Sequence, residues 1–251
     1  MKHSIFAFMA LFIIALGASA QNKQIPLIGS EAPSFKAMST QGNINFPKDF
    51  GNNWKILFSH PADFTPVCST ELLELASLQP EFKKLGVKVA VISTDNVETH
   101  KLWVKYLEDV NYKDRGHINI QFPVIEDPEA MASTKYGMLH QPTSTNRDIR
   151  GVYIIDENNI VRAINFYPVE VGRNMNEILR TVEALQTTSE SHVYTPANWE
   201  KGDDLIVPYN PLTTKEMTLD VESKEGYYPV GNRIWFKKVD NRTVSTDNDN
   251  E

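Results

Sequence analysis

The chain has 251 residues, a formal net charge of −7, one cysteine and 41% hydrophobic residues, enough for one large domain or a domain with a small appendage. An acidic balance without a basic patch argues against a nucleic-acid partner. His60, His100, His117, His140 and His192 are scattered without ligand spacing, so no metal site is expected, and no cofactor is implied.

Residues 1–20 read as a secretory signal peptide. Lys2 and His3 form a short basic start, Ile5 to Leu16 an apolar core, and Ala18-Ser19-Ala20 a small-residue cleavage pattern. The apolar run is short for a spanning helix. The mature protein is therefore expected in the periplasm or the medium, without stable membrane insertion. Residues 21–53 read as an extended approach containing Pro26, Pro33 and Pro47, closed by the turn Gly51-Asn52-Asn53. Trp54 to Phe58 is a short apolar run, partly β-branched or aromatic, and reads as a buried strand. After Cys68, the positions Leu72, Leu75, Leu78, Phe82 and Leu85 recur at intervals of three and four, one face of a helix. Pro80 should kink or interrupt that helix.

Val87 to Ile92 is a β-branched run and a second central strand. Asp95 opens a helix to about Val110, with Trp103, Leu107 and Val110 on one face. Residues 111–121 are polar loop, Phe122 to Ile125 a short strand, and Asp127-Pro128 the start of a helix ending near Tyr136-Gly137. After a polar loop over 140–149, Arg150 to Ile155 and Ile160 to Tyr167 make a hairpin around Glu157-Asn158-Asn159. Asn174 with Glu177 resembles a capping box. The helix it opens carries Met175, Ile178, Leu179, Val182 and Leu185 inward. The strand-then-helix alternation predicts an α/β class, and the order is that of a thioredoxin-like sandwich over residues 21–188. Thr187 to Ser191 reads as a hinge. Residues 189–240 form a small extension with too little chain for much core of its own, and residues 241–251 a polar, acidic tail expected to be disordered.

The most informative stretch is Ser59-His60-Pro61-Ala62-Asp63-Phe64-Thr65-Pro66-Val67-Cys68. Pro61 and Pro66 keep this loop out of the helix, so Cys68 falls in or near the helix's first turn. There the backbone N–H groups lack intrahelical partners and the macrodipole favours negative charge. A thiol becomes reactive as its thiolate, and a two-unit drop in a thiol's pKa corresponds to about 2.7 kcal/mol. The dipole supplies only roughly 0.3–1 kcal/mol, so a cationic side chain from elsewhere is required. The Thr65 hydroxyl, three residues earlier, can reach the sulfur or a ligand beside it. An exported protein usually pairs its cysteines, and Cys68 has no partner within the chain. It is therefore a reactive thiol or an intermolecular bridge.

Pro61-x-x-x-Thr65-x-x-Cys68 resembles the peroxidatic-cysteine motif of peroxiredoxins, and FSHPADFTPVCSTEL resembles their one-cysteine, peroxiredoxin-6-like branch. The similarity continues in PEFKKLGVKVAVIS, in Gly172-Arg173-Asn174 through Arg180, and in Thr195-Pro196-Ala197-Asn198-Trp199, spanning roughly residues 26–240. The resemblance implies a thiol-dependent peroxidase with Cys68 as nucleophile, Thr65 ordering sulfur and peroxide, and Pro61 shielding the site. It implies Arg150 as the required cation and Arg173 as a supporting arginine, with Glu71 orienting an arginine and His60, beside the proline, contacting substrate or the resolving thiol or serving as structural packing. It also implies a homodimer in which the extension reaches the other subunit. With one cysteine, the oxidised enzyme must be reduced by an external thiol or other reductant. Some members of this branch also hydrolyse phospholipids with a Ser in Gly-Asp-Ser-Trp. Here Gly51-Asn52-Asn53-Trp54 puts Asn53 in its place, so that activity is not expected. The alternative function is a non-enzymatic, thiol-linked holding protein of the cell envelope, which peroxide would convert to a covalent dimer.

Overall fold

A computed structural model describes residues 25–218, 224–231 and 233–239. The expected signal peptide and acidic tail lie outside the described residues. A seven-stranded mixed sheet runs in the order β2-β1-β5-β4-β3-β6-β7. Its strands are β1 (Phe35–Ser39), β2 (Gly42–Phe46), β3 (Trp54–Ser59), β4 (Val87–Ser93), β5 (Val124–Glu126), β6 (Arg150–Ile155) and β7 (Val161–Tyr167). At the centre, β3 pairs parallel with β4 and antiparallel with β6.

All six residues of β3 are buried, because both faces of the sheet are covered. Ile56 and Phe58 enter one apolar cluster and Leu57 the other, as the two-residue period of a strand requires. The first cluster is completed by α1 (Pro66–Ser77), α2 (Gln79–Lys84), α3 (Val97–Glu108) and α5 (Met175–Glu190). The second is completed by α4 (Met131–Lys135) and the 3-10 turn Lys48–Phe50.

Several boundaries are set by single side chains. Pro66 occupies the first turn of α1 with Thr65 as N-cap, where a missing N–H costs nothing. Pro80 breaks the cysteine helix as expected, with Leu78 between α1 and α2. The α3 cap is Asn96, one residue later than expected, and its side chain accepts from Thr99 N. Asp127 does not start a helix at 128. Its carboxylate accepts from the backbone N–H groups of Met131, Ala132 and Ser133 and so opens α4 from a distance.

Three expectations are corrected. The extended approach contains the β1–β2 hairpin, paired from Phe35↔Phe46 to Ser39↔Gly42. The hinge at 187–191 is instead the last turn of α5, which runs to Glu190 and is closed by Ser191. The capping box is half formed: Asn174 accepts from Asn176 N and Glu177 N, while Glu177 pairs with Arg180.

The extension holds a small sheet of β8 (Leu205–Val207), β9 (Tyr227–Val230) and β10 (Ile234–Lys237), in the order β8-β10-β9, and a short helix, α6 (Thr214–Thr218). Val193, Trp199, Leu205, Val207 and Trp235 form its own buried cluster, against which Ala184 of α5 packs. Arg180 of α5 donates to Trp199 O at 2.9 Å. The extension thus rests on its own subunit's helix. Among the described residues no helix is long and apolar enough to cross a membrane.

Candidate active site

Cys68 is the third residue of α1 and is fully buried. The loop from the C-terminal end of β3 delivers it to the strand end where β6 begins. Arg150, the first residue of β6, donates from Nη1 to Cys68 Sγ at 3.2 Å. The guanidinium is held from both sides. Its Nε and Nη2 donate to Val169 O at 2.9 and 2.5 Å, and Nη1 also reaches Glu71 Oε2 at 2.7 Å. The cation that the dipole argument required is therefore present and aimed at the sulfur.

Glu71 lies one turn beyond Cys68 on the same helix face and is shared by both arginines. Arg173 forks onto it, Nε to Oε1 at 2.9 Å and Nη2 to Oε2 at 2.7 Å, and its backbone N–H adds a bond to Oε1 at 2.8 Å. Such bidentate, charge-assisted pairs fix geometry as well as energy. The remaining Nη1 of Arg173 donates to Ser59 O and Gly151 O, both at 2.8 Å. Its guanidinium carbon lies 3.3 Å from the centre of the Phe58 ring. Burial pushes the Glu71 carboxyl up, but the hydrogen bonds and charge of Arg173, joined by Arg150, hold it below the usual carboxylate range.

The other expected residues are placed differently. The Thr65 hydroxyl donates to Ala62 O at 2.8 Å rather than to sulfur, leaving its lone pairs as acceptors. Pro61 is buried, and its carbonyl accepts from Arg147 Nη1 at 3.3 Å. His60 is fully buried with its ring 4.9 Å from that of Trp103, and its Nε2 lies 2.9 Å from Asp63 Oδ1. The ring is thus packed and fully covered. Burial pulls the imidazole below the ordinary histidine range, against the opposing pull of Asp63.

Asp63 also meets His100 Nδ1 at 2.7 Å, and its backbone N–H donates to Asp95 Oδ2 at 2.8 Å. Possible ligand atoms of His60, Asp63 and Asp95 fall within 4.8 Å of one another. They are already bonded among themselves and to His100 and Arg147, so the group reads as a loop anchor. Asp63, His100, Asp95, Ser59 and the Val169 carbonyl escaped the sequence reading. Only the three-residue spacing of His60 and Asp63 could have signalled any of them.

Residues 28–164 match the AhpC/TSA family, and residues 184–221 match the C-terminal domain of 1-Cys peroxiredoxin. The chain belongs to the 1-Cys peroxiredoxins. A peroxiredoxin of Methanosarcina mazei is 46% identical over 202 residues, covering 80% of this chain and 91% of that one. A peroxiredoxin of Aquifex aeolicus is 40% identical over 225 residues, covering 86% and 98%. Among solved structures, the yeast mitochondrial 1-Cys peroxiredoxin superposes with a TM-score of 0.73 at 36% identity, covering 86% of this chain and 100% of that one. A cysteine-to-serine variant of peroxiredoxin 6 from Arenicola marina gives 0.71 at 33% identity, covering 85% and 99%. The fold is accordingly thioredoxin-like with a C-terminal peroxiredoxin extension. The protein is a thiol-dependent peroxidase, an oxidoreductase that works through a single cysteine. Peroxiredoxins act on peroxides with thiol reductants, and membership disfavours the thiol-linked holding protein.

Proposed function

We propose that Cys68 is the peroxidatic nucleophile and that it reduces hydrogen peroxide and organic hydroperoxides. The thiolate sulfur attacks the terminal peroxide oxygen. The S–O bond forms as the O–O bond breaks, and the departing oxygen leaves as hydroxide or alkoxide and is then protonated. Cys68 is left as a sulfenic acid. The observation that carries this reading is the Arg150 Nη1 to Cys68 Sγ contact of 3.2 Å, in a guanidinium fixed by Glu71 and Val169 O. Donors held in place before charge develops stabilise it without reorganisation. Thr65 and Pro61, which share the family's motif with Cys68, are assigned the ordering of the peroxide and the shielding of the site.

Cys68 is the chain's one cysteine, so the sulfenic acid is resolved from outside. One external thiol condenses with it, expelling water, and a second thiol releases the mixed disulfide. The yeast neighbour is described as resolved through glutathione and thioredoxin systems, which supports an external thiol here. The protein acts as a homodimer and, after removal of residues 1–20, outside the cytoplasm. An N-terminus beginning at Gln21 on protein recovered from the envelope or medium would test the export.

The deciding experiment mixes reduced protein with one equivalent of hydrogen peroxide and follows rate and product mass, with Cys68→Ser as control. Fast consumption with one oxygen added at Cys68 supports the proposal. Reaction at the rate of an ordinary free thiol overturns it.

A further inference from the structure

We propose that Ser59 is a positioning residue for the peroxidase reaction, acting through Arg150. The inference rests on Cys68 and Arg150 having the roles given above. Ser59 is the last residue of β3 and fully buried. Backbone pairing between β3 and β6 runs from Lys55↔Ile155 to Phe58↔Val152. One step further, where Ser59 faces Gly151, the ladder is replaced by side-chain bonds.

The Ser59 hydroxyl donates to Ile149 O at 2.7 Å and accepts from Gly151 N at 2.9 Å. Those two groups belong to the peptides that flank Arg150. They also approach each other, Gly151 N to Ile149 O at 3.1 Å, so the chain folds tightly about Arg150 and one hydroxyl closes the fold from within. The second tie is Arg173, whose Nη1 bridges the carbonyls of the same two residues, Ser59 and Gly151, at 2.8 Å each. Ser59 therefore touches the support of both arginines while touching neither the sulfur nor Glu71.

The glycine at 151 fits this account. A Cβ there would stand 2.9 Å from Ser59 Oγ and 3.2 Å from a Phe166 ring atom, so a side chain would displace the hydroxyl from its two partners. A guanidinium that must present one nitrogen to a sulfur depends on where its Cα is held, and a misplacement of about 1 Å can cost on the order of a hundredfold in rate. Ser59 fixes that Cα from both sides.

The test is a double-mutant cycle on the full chain, reading the second-order rate of Cys68 oxidation by hydrogen peroxide and the ultraviolet thiolate absorbance at neutral pH. The variants are Ser59→Ala, Arg150→Gln and the pair. Ser59→Ala is expected to slow oxidation about tenfold, the equivalent of one lost hydrogen bond, and to lower the thiolate signal. In the Arg150→Gln background the same substitution should change the rate less than about twofold, because contacting or network residues do not add independently. A rate within about twofold of wild type for Ser59→Ala overturns the proposal, as does an equal loss in both backgrounds, which marks a purely structural role. Should Ser59→Ala fail to fold, Gly151→Ala, whose added Cβ would stand 2.9 Å from Ser59 Oγ and displace the hydroxyl, is carried through the same cycle with the same two criteria. Failure of the underlying reading would look different, because Arg150→Gln alone would then leave the rate unchanged.

Discussion

Arg150 and Arg173 bring two positive charges to one carboxylate, Glu71, with every one of these side chains 3% exposed or less. A buried excess charge is costly unless it is paired. A Cys68 thiolate, the reacting form proposed above, would bring the cluster to neutrality. Glu71→Gln keeps the shape and removes the charge that both guanidiniums share. Chemical denaturation should show a loss of about 3–5 kcal/mol, the usual cost of breaking a buried pair from one side. Unchanged stability would mean that the carbonyls of Val169, Ser59 and Gly151 hold the arginines unaided. Arg150→Lys asks a different question, since an ammonium keeps the charge and loses the planar fork. Arg150 spends three nitrogens on Val169 O, Glu71 and Cys68, and one ammonium cannot span them. The rate of peroxide consumption should fall about a hundredfold, as for a lost preorganised donor. A fall of less than about threefold would show that charge alone suffices.

Among the elements, the segment between β3 and α1 is tied down by side-chain hydrogen bonds. Phe64 within it has φ 55° and a half-exposed ring, a conformation that a bulky residue adopts only when its surroundings impose it. Asp63, the preceding residue, imposes it through His60, His100 and Asp95. Arg147 adds a strut, with Nη1 3.3 Å from Pro61 O and 3.2 Å from Asp95 Oδ1. Asp63→Ala leaves two buried imidazoles short of a partner, and each such group costs about 1–3 kcal/mol. Stability should drop by about that much or more, and amide exchange should quicken over residues 61–66. Exchange in that segment no faster than in wild type would show that Arg147 and the prolines hold it alone. The sequence was informative wherever one element repeats its own pattern, as in the mainly apolar β3, the Leu72 and Leu75 stripe of α1 and the break at Pro80. It was silent on the hairpin from Phe35 to Phe46, where β1 buries only its end residues Phe35 and Ser39 and β2 only Phe46. It also stopped α5 too early, because the polar residues Thr187 to Glu190 lie on a half-exposed or exposed helix end. The arginines came from family resemblance alone, since contacts spanning 79 to 102 residues leave no local pattern.

For the molecule as a whole, buried titratable groups set how stability depends on pH, and they do not all push the same way. Burial raises the Asp63 carboxyl, but hydrogen bonds from His100 and His60 hold it below the usual range, as the arginines hold Glu71. The unfolded chain binds more protons at these positions, so their contribution is present above the ordinary carboxylate range and lost as pH falls through the lower folded values. His60, pulled down by burial, has the same sign, and its loss begins as pH falls below the ordinary histidine range. Asp148 opposes them. It is fully buried, its Oδ2 lies 3.1 Å from Ser133 Oγ, and its Oδ1 has no hydrogen-bond partner. The Ser133 hydroxyl carries one proton for two carboxylates, and its shorter bond, 2.7 Å, is to Asp127 Oδ2. Burial first, then the negative charges of Asp127 and Asp95, push its carboxyl well above the usual range despite Ser133. Here the folded state binds the extra proton, and stability is lost as pH rises from the ordinary carboxylate range to the raised folded value. Asp148→Asn removes that loss without changing the shape. Its urea midpoint should exceed that of wild type at neutral pH, and the gap should close once the pH is low enough to protonate the unfolded carboxylate. A variant no more stable than wild type at neutral pH would mean that Asp148 is ionised at no cost in the folded protein, against the geometry that surrounds it.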